Sequence, residues 1–158
     1  MEEAQKLVAG LREKKITIST AESCTGGLIA KLITDIPGSS DVFTGSVVAY
    51  SNDIKYRILN VPEDILNIYG AVSHETVKIM ADNIRNIFKT DIAIAVSGIA
   101  GPGGETPEKK IGTVCFGFAF PNDAKTLTMR FEGSREEVRT RAAVFAINYC
   151  LRYLLSGE

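Results

Sequence analysis

The chain has 158 residues, 45% hydrophobic and 23% charged, and 18 basic residues face 19 acidic ones for a net charge of −1. That is enough apolar material for one core and little chain for two, so a single domain over residues 1–158 is expected, with no metal or disulfide needed to hold it. The charge balance excludes a global basic surface for nucleic acid, and no apolar run approaches the roughly 20 residues of a membrane span.

Residues 3–14 read as an amphipathic helix with Leu7, Val8 and Leu11 on one face. Residues 16–20 alternate as a short strand. A helix follows over 26–35, its apolar stripe formed by Leu28, Ile29, Leu32 and Ile33, and residues 37–40 end it in a turn. Residues 42–50, rich in Val, Thr and aromatics, form a strand. A short helix is expected over 52–59, and Pro62 opens another. Ser73 caps a long helix running to Phe88. Residues 91–97 are almost continuously apolar, the mark of a strand buried on both faces in the middle of a sheet. A Gly/Pro loop spans 98–110. Strands over 111–120 and 125–132 form an antiparallel hairpin around residues 121–123. Ser134 caps a last helix to Leu155, with Glu136 and Glu137 in its first turn. The expected fold is therefore α/β, a three-layer arrangement with a mixed, mostly parallel sheet covered by helices and an antiparallel hairpin near the C-terminus.

The polar start Met1-Glu2-Glu3 does not read as a signal peptide. Cys24, Cys115 and Cys150 are odd in number and far apart, and His74 is the only histidine, so a zinc cluster is not expected. Free buried thiols and a cytoplasmic location follow.

Three segments can carry chemistry. The first, residues 19–27, sits at a strand-to-helix junction and contains Ser23, Cys24, Thr25, Gly26 and Gly27. Strand ends of this kind bind ligands, and backbone N–H groups at a helix start suit a phosphate or a developing oxyanion. Ser23 or Thr25 can equally be a helix cap. As a nucleophile Ser23 needs a base, and no serine has a lysine three positions on, so the lysine must come from another element. Lys55, just past a strand end, serves if it is buried and its pKa falls; otherwise it is an ordinary surface lysine. Cys24 is a rival nucleophile without an adjacent histidine.

The second segment, residues 97–104, lacks both Walker and Rossmann spacing. It is either a glycine loop presenting N–H groups from Ser97, Gly98, Ala100 and Gly101 to a ligand or a plain wide turn. In the third, Arg135 and Arg139 lie four apart on one helix face, placed for a phosphate or for i,i+4 salt links. His74, in a helix first turn with no Gly-x-Ser-x-Gly elbow in the chain, reads as exposed or capping rather than as a triad member.

In order along the chain, residues 20–27, 36–40, Tyr50-Ser51-Asn52 with Lys55, residues 70–73, 97–102, 110–114, and Gly133-Ser134-Arg135 with Arg139 resemble the CinA C-terminal domain family, whose stand-alone PncC-like members include nicotinamide-nucleotide amidases. The resemblance implies hydrolysis of nicotinamide mononucleotide to nicotinate mononucleotide and ammonia, without a metal or other cofactor. It implies Ser23 as nucleophile and Lys55 as base. Backbone N–H groups from Cys24 to Gly27, with the 97–101 loop, would hold the oxyanion. Tyr50, Ser51 and Asn52 would shape the site, and Arg135, Arg139 or the glycine loop would take the phosphate. A nucleotide substrate and a homodimer are the implied partners, with neither nucleic acid nor membrane among them. Many family members carry a further N-terminal domain resembling molybdopterin-binding proteins; nothing in this sequence corresponds to it, as expected of the stand-alone type, whereas a fragment's parent could also be a pyrophosphatase. A non-catalytic nucleotide-binding or regulatory module, or a serine amidase for another amide, fits the same residues.

Overall fold

The structure, a computed structural model, describes residues 2–156. Helix α1 (Glu2–Lys14) leads into strand β1 (Ile18–Glu22), helix α2 (Leu28–Thr34), a 3-10 turn (Ser39–Asp41) and strand β2 (Phe43–Val48). Helices α3 (Asn52–Arg57), α4 (Glu63–Tyr69) and α5 (His74–Phe88) precede strand β3 (Ile92–Gly98). Strands β4 (Thr113–Ala119) and β5 (Ala124–Arg130) form the expected hairpin, and helix α6 (Arg135–Ser156) closes the described chain.

The five strands form one sheet in the order β2-β1-β3-β4-β5. β1 runs parallel to β2 and β3, and β3-β4 and β4-β5 are antiparallel. This is the expected mixed sheet with a parallel core, and the apolar run of β3 is its central strand, buried along nearly its whole length. Register sets the site. Glu22 lies opposite Val48 on one side and Val96 on the other, so three parallel strands end together. The residues that follow each of them collect at one edge of the sheet, where ligands bind in folds of this class.

β1 lies two residues later than expected. Thr17 is held by Asp91, its N–H donating to Oδ2 at 2.8 Å, and the ladder continues past Thr20 through Glu22, whose carbonyl accepts from Ala49 N at 2.7 Å. The charged Glu22 masks that continuation in the sequence.

The two faces of the sheet differ in side-chain size. Ile92, Ile94, Val96, Phe116, Phe118 and Phe120 meet α1, α2 and α6. Each fully buried side chain of that size contributes about 1.5–3 kcal/mol. Phe118 and Phe120 pack on Tyr149 and Tyr153 of α6, with ring centroids 4.4 and 3.4 Å apart. The opposite face is lined by Ala21, Ala93, Ala95, Cys115 and Ala119, which lets α5 come close. At Gly117 the approach is so tight that a Cβ would collide with the Val77 carbonyl.

The caps agree with expectation. Ser73 accepts from Thr76 N at the start of α5. Ser134 and Glu137 form a reciprocal box at α6, Glu137 N donating to Ser134 Oγ and Ser134 N to Glu137 Oε2. Pro62 stands one position ahead of α4 as its N-cap. No described helix is long and apolar enough to cross a membrane.

Candidate active site

Ser23 is the first residue beyond β1, and its N–H still donates to Val96 O at 3.0 Å. On the other side of the same sheet edge, Ser51 caps α3 by accepting from Ile54 N at 3.2 Å. The helix therefore starts at once, and Lys55 falls one turn inside it, facing back toward the strand ends. Its Nζ lies 3.0 Å from Ser23 Oγ and 2.9 Å from the Ala49 carbonyl. The Lys55 side chain is 1% exposed, so this is not the surface lysine that a short helix suggests. Among the described residues no carboxylate pairs with it. Burial without a counter-ion disfavours the ammonium form and lowers the pKa to about 8, while the nearby Cys24 acts weakly the other way.

The dyad opens into a cleft of about 260 Å³ lined by Ser23, Cys24, Tyr50, Asn52, Lys55, Ser97, Gly98, Ala100 and Arg135, all expected site residues. Ala71 and Val72, just before α5, complete the wall; sequence reasoning did not assign them to the site. Arg135 spans the mouth, donating to Gly101 O and to Tyr50 Oη, both at 2.8 Å. It makes these contacts rather than an i,i+4 salt link, and it still faces the cleft.

Six expected residues do not line the cleft: Thr25, Gly26, Gly27, Ser51, Gly101 and Arg139. Arg139 is a strap. Its Nε donates to Cys24 O at 2.9 Å and its Nη2 to Thr25 O at 3.0 Å, fastening α6 to the turn that carries Ser23. Gly26, with φ +62, makes room for it, since a Cβ there would stand 3.1 Å from Nη2. The close approach that Gly26 permits is made by the protein itself.

Neither Ser23 nor Thr25 caps α2. Glu22 does so: its fully buried carboxylate accepts from Gly27 N, Ile29 N and Ala30 N at 3.1, 3.1 and 2.8 Å, and from Thr25 Oγ1 at 2.6 Å. The helix start is thus already occupied by an anion of the chain. Gly26 N is also engaged, bonding Ser23 O at 3.0 Å. Within the turn, the N–H groups of Cys24 and Thr25 are those with no partner elsewhere in the described chain. Glu22 was missed because capping patterns place the acceptor next to the helix, whereas here it reaches forward from the preceding strand.

Cys24 shares the cleft but is a poor nucleophile. Burial pushes its thiol up to about 12, and the Glu22 charge acts in the same direction. His74 bonds Thr126 Oγ1 and Thr128 Oγ1 at 2.8 and 3.0 Å, joining α5 to β5, and takes no part in the Ser23 contact. Cys24, Cys115 and Cys150 are all free and buried. Among the described residues no three His, Cys, Asp or Glu side chains converge to hold a metal. A larger, shallower groove of about 590 Å³ follows the outer face of α6, lined by residues such as Val144, Phe145 and Leu151, and it holds no nucleophile.

The model of the CinA C-terminal domain family matches residues 1–154. A "putative competence-damage inducible protein" of Caldanaerobacter subterraneus subsp. tengcongensis is 46% identical over 154 residues, covering 97% of this chain and 37% of that protein. The chain thus spans a little over a third of the length of such curated relatives. The crystal structure of the competence/damage-inducible protein CihA from Agrobacterium tumefaciens superimposes with a TM-score of 0.94 at 37% identity, covering 98% of this chain and 94% of that one. A competence damage-inducible protein A from Klebsiella pneumoniae gives a TM-score of 0.96 at 32% identity, covering 99% and 98%.

Proposed function

The chain belongs to the CinA C-terminal domain family, and on that premise we propose that it is an amidohydrolase that converts nicotinamide mononucleotide and water to nicotinate mononucleotide and ammonia, using Ser23 as nucleophile and Lys55 as base. The observation that carries the reading is the contact of 3.0 Å between Lys55 Nζ and Ser23 Oγ, made by a lysine whose pKa burial lowers to about 8. The choice of substrate rests on the resemblance to nicotinamide-nucleotide amidases. A polar cleft that ends in a single arginine supports a small anionic ligand.

Neutral Lys55 accepts the Ser23 proton as Oγ attacks the carboxamide carbon. The negative charge that develops on the carboxamide oxygen is met by the N–H group of Cys24, the residue after Ser23 that lines the cleft. The C–N bond then breaks, and Lys55 returns its proton to the departing ammonia. Water, deprotonated by the same amine, hydrolyses the acyl-enzyme and frees Ser23. Tyr50, Asn52 and the 97–100 loop bound the substrate, and Arg135 meets its phosphate.

The test is ammonia release from nicotinamide mononucleotide by the purified protein. Release that disappears in Ser23→Ala and in Lys55→Ala supports the proposal. Full activity in Ser23→Ala refutes the nucleophile, and tight binding without ammonia makes the chain a nucleotide-binding module instead.

A further inference from the structure

We propose that Glu22 is a positioning residue for Ser23, its carboxylate holding the Ser23-to-Gly27 turn in the shape that keeps Ser23 Oγ on Lys55 and leaves the Cys24 and Thr25 N–H groups unspent. The inference rests on Ser23 acting as the nucleophile.

A buried carboxylate is costly unless hydrogen bonds or a cation replace its water. Glu22 is 0% exposed, and among the described residues no Lys or Arg pairs with it. Hydrogen bonds alone hold it. Oε2 accepts from Thr25 Oγ1, Gly27 N and Ile29 N; Oε1 accepts from Ala30 N at 2.8 Å and from Thr20 Oγ1 at 3.4 Å. A helix needs far less than this. A neutral Ser or Asn beside α2 would satisfy its first donors without burying a charge.

What the carboxylate adds is its span. Its backbone belongs to β1 and its partners run from Thr25 to Ala30, so the nucleophile lies between the two ends of the staple. Arg139 holds the same turn from the other side through the Cys24 and Thr25 carbonyls. Between them the two side chains engage the donors at 27, 29 and 30 and the acceptors at 24 and 25. Only the Cys24 and Thr25 amides are left without an acceptor on another described residue, and Cys24 lines the cleft.

The decisive measurement is the pH dependence of labelling by a fluorophosphonate, located by mass spectrometry. Ser23 Oγ bonds to phosphorus, fluoride leaves, and the serine proton passes to Lys55, so no amide substrate is involved. In the unmodified protein Ser23 labels; if it does not, the nucleophile reading itself has failed. Glu22→Gln puts an N–H donor where one oxygen accepted, and Thr25→Val removes the shortest contact while leaving the carboxylate in place. In both, the limiting labelling rate is expected to fall by about tenfold to a hundredfold, approaching the loss of one oxyanion donor, with an unchanged pH midpoint. Thr25→Ser, which keeps the donor hydroxyl, recovers most of the rate lost in Thr25→Val. Should Glu22→Gln not fold, Thr25→Val with its serine rescue decides alone. An undiminished rate in the folded variants overturns the proposal. So does a midpoint that moves up toward that of an ordinary lysine, because Glu22 would then merely keep the Lys55 pocket shut.

Discussion

Lys55 Nζ donates to the Ala49 carbonyl at 2.9 Å while standing 3.0 Å from Ser23 Oγ. The carbonyl holds one N–H, so the amine keeps its orientation when it loses its proton, and its lone pair stays near the serine. The contact joins residues 32 positions apart, brought together by the shared end of β1 and β2.

A pH profile follows. Only neutral Lys55 accepts the serine proton, and burial lowers its pKa to about 8. Below that value kcat/KM for nicotinamide mononucleotide should rise about tenfold per pH unit, then level above it. A profile flat between pH 6 and 9 would remove Lys55 from the role of base.

The same burial costs stability. Lys55 titrates near 8 when folded and at 10.5 in the ordinary state. Between those values the unfolded chain binds more protons, so stability rises with pH across the window, and below 8 the full penalty of about 3 kcal/mol is present. Lys55→Met removes the penalty and also the bonds to Ala49 and Ser23. The expected net gain at pH 7 is about 1–2 kcal/mol, disappearing by pH 10.5, in an inactive protein. Urea unfolding at the two pH values measures it.

Much of this was legible in the sequence. The apolar run of β3, the Ser73 and Ser134 caps and the hairpin carry local signals, and all appear where expected. Ser23 and Lys55 could be named as candidates, but their meeting depends on the register between β1 and β2, which no local pattern encodes. Lys55 shows the limit clearly. An exposed and a buried lysine look alike on a six-residue helix, and what buries this one is the strand edge beneath it. Glu22 and Arg139 were illegible for a related reason. Glu22 caps a helix from the preceding strand, and Arg139 bonds carbonyls more than a hundred positions away.

Cys24 lies beside Ser23, the proposed nucleophile, yet is expected to be dispensable as a side chain. Its thiol is pushed up to about 12, so almost no thiolate exists at neutral pH. Cys24→Ala should lower ammonia release no more than about threefold, with a small cost for the cavity it leaves. Iodoacetamide at pH 8 should leave Cys24 unmodified in the folded protein, as read by mass spectrometry. Rapid alkylation, or an inactive alanine variant, would return Cys24 to consideration as the nucleophile.

The two arginines of α6 should separate kinetically although they share a helix face. Arg139 binds the Cys24 and Thr25 carbonyls, and Arg135 binds Gly101 O and Tyr50 Oη at the mouth of the cleft. Arg139→Met leaves the Cys24 carbonyl without a donor, while Leu28 N still donates to the Thr25 carbonyl at 3.2 Å. The expected result is a kcat lower by about tenfold and a loss of about 1–3 kcal/mol in urea unfolding. Arg135→Met leaves the turn intact and removes a cation facing the substrate, so KM should rise about tenfold with kcat within about threefold. Equal effects on kcat and KM in both variants would mean that the two side chains do not divide positioning from binding as their hydrogen bonds indicate.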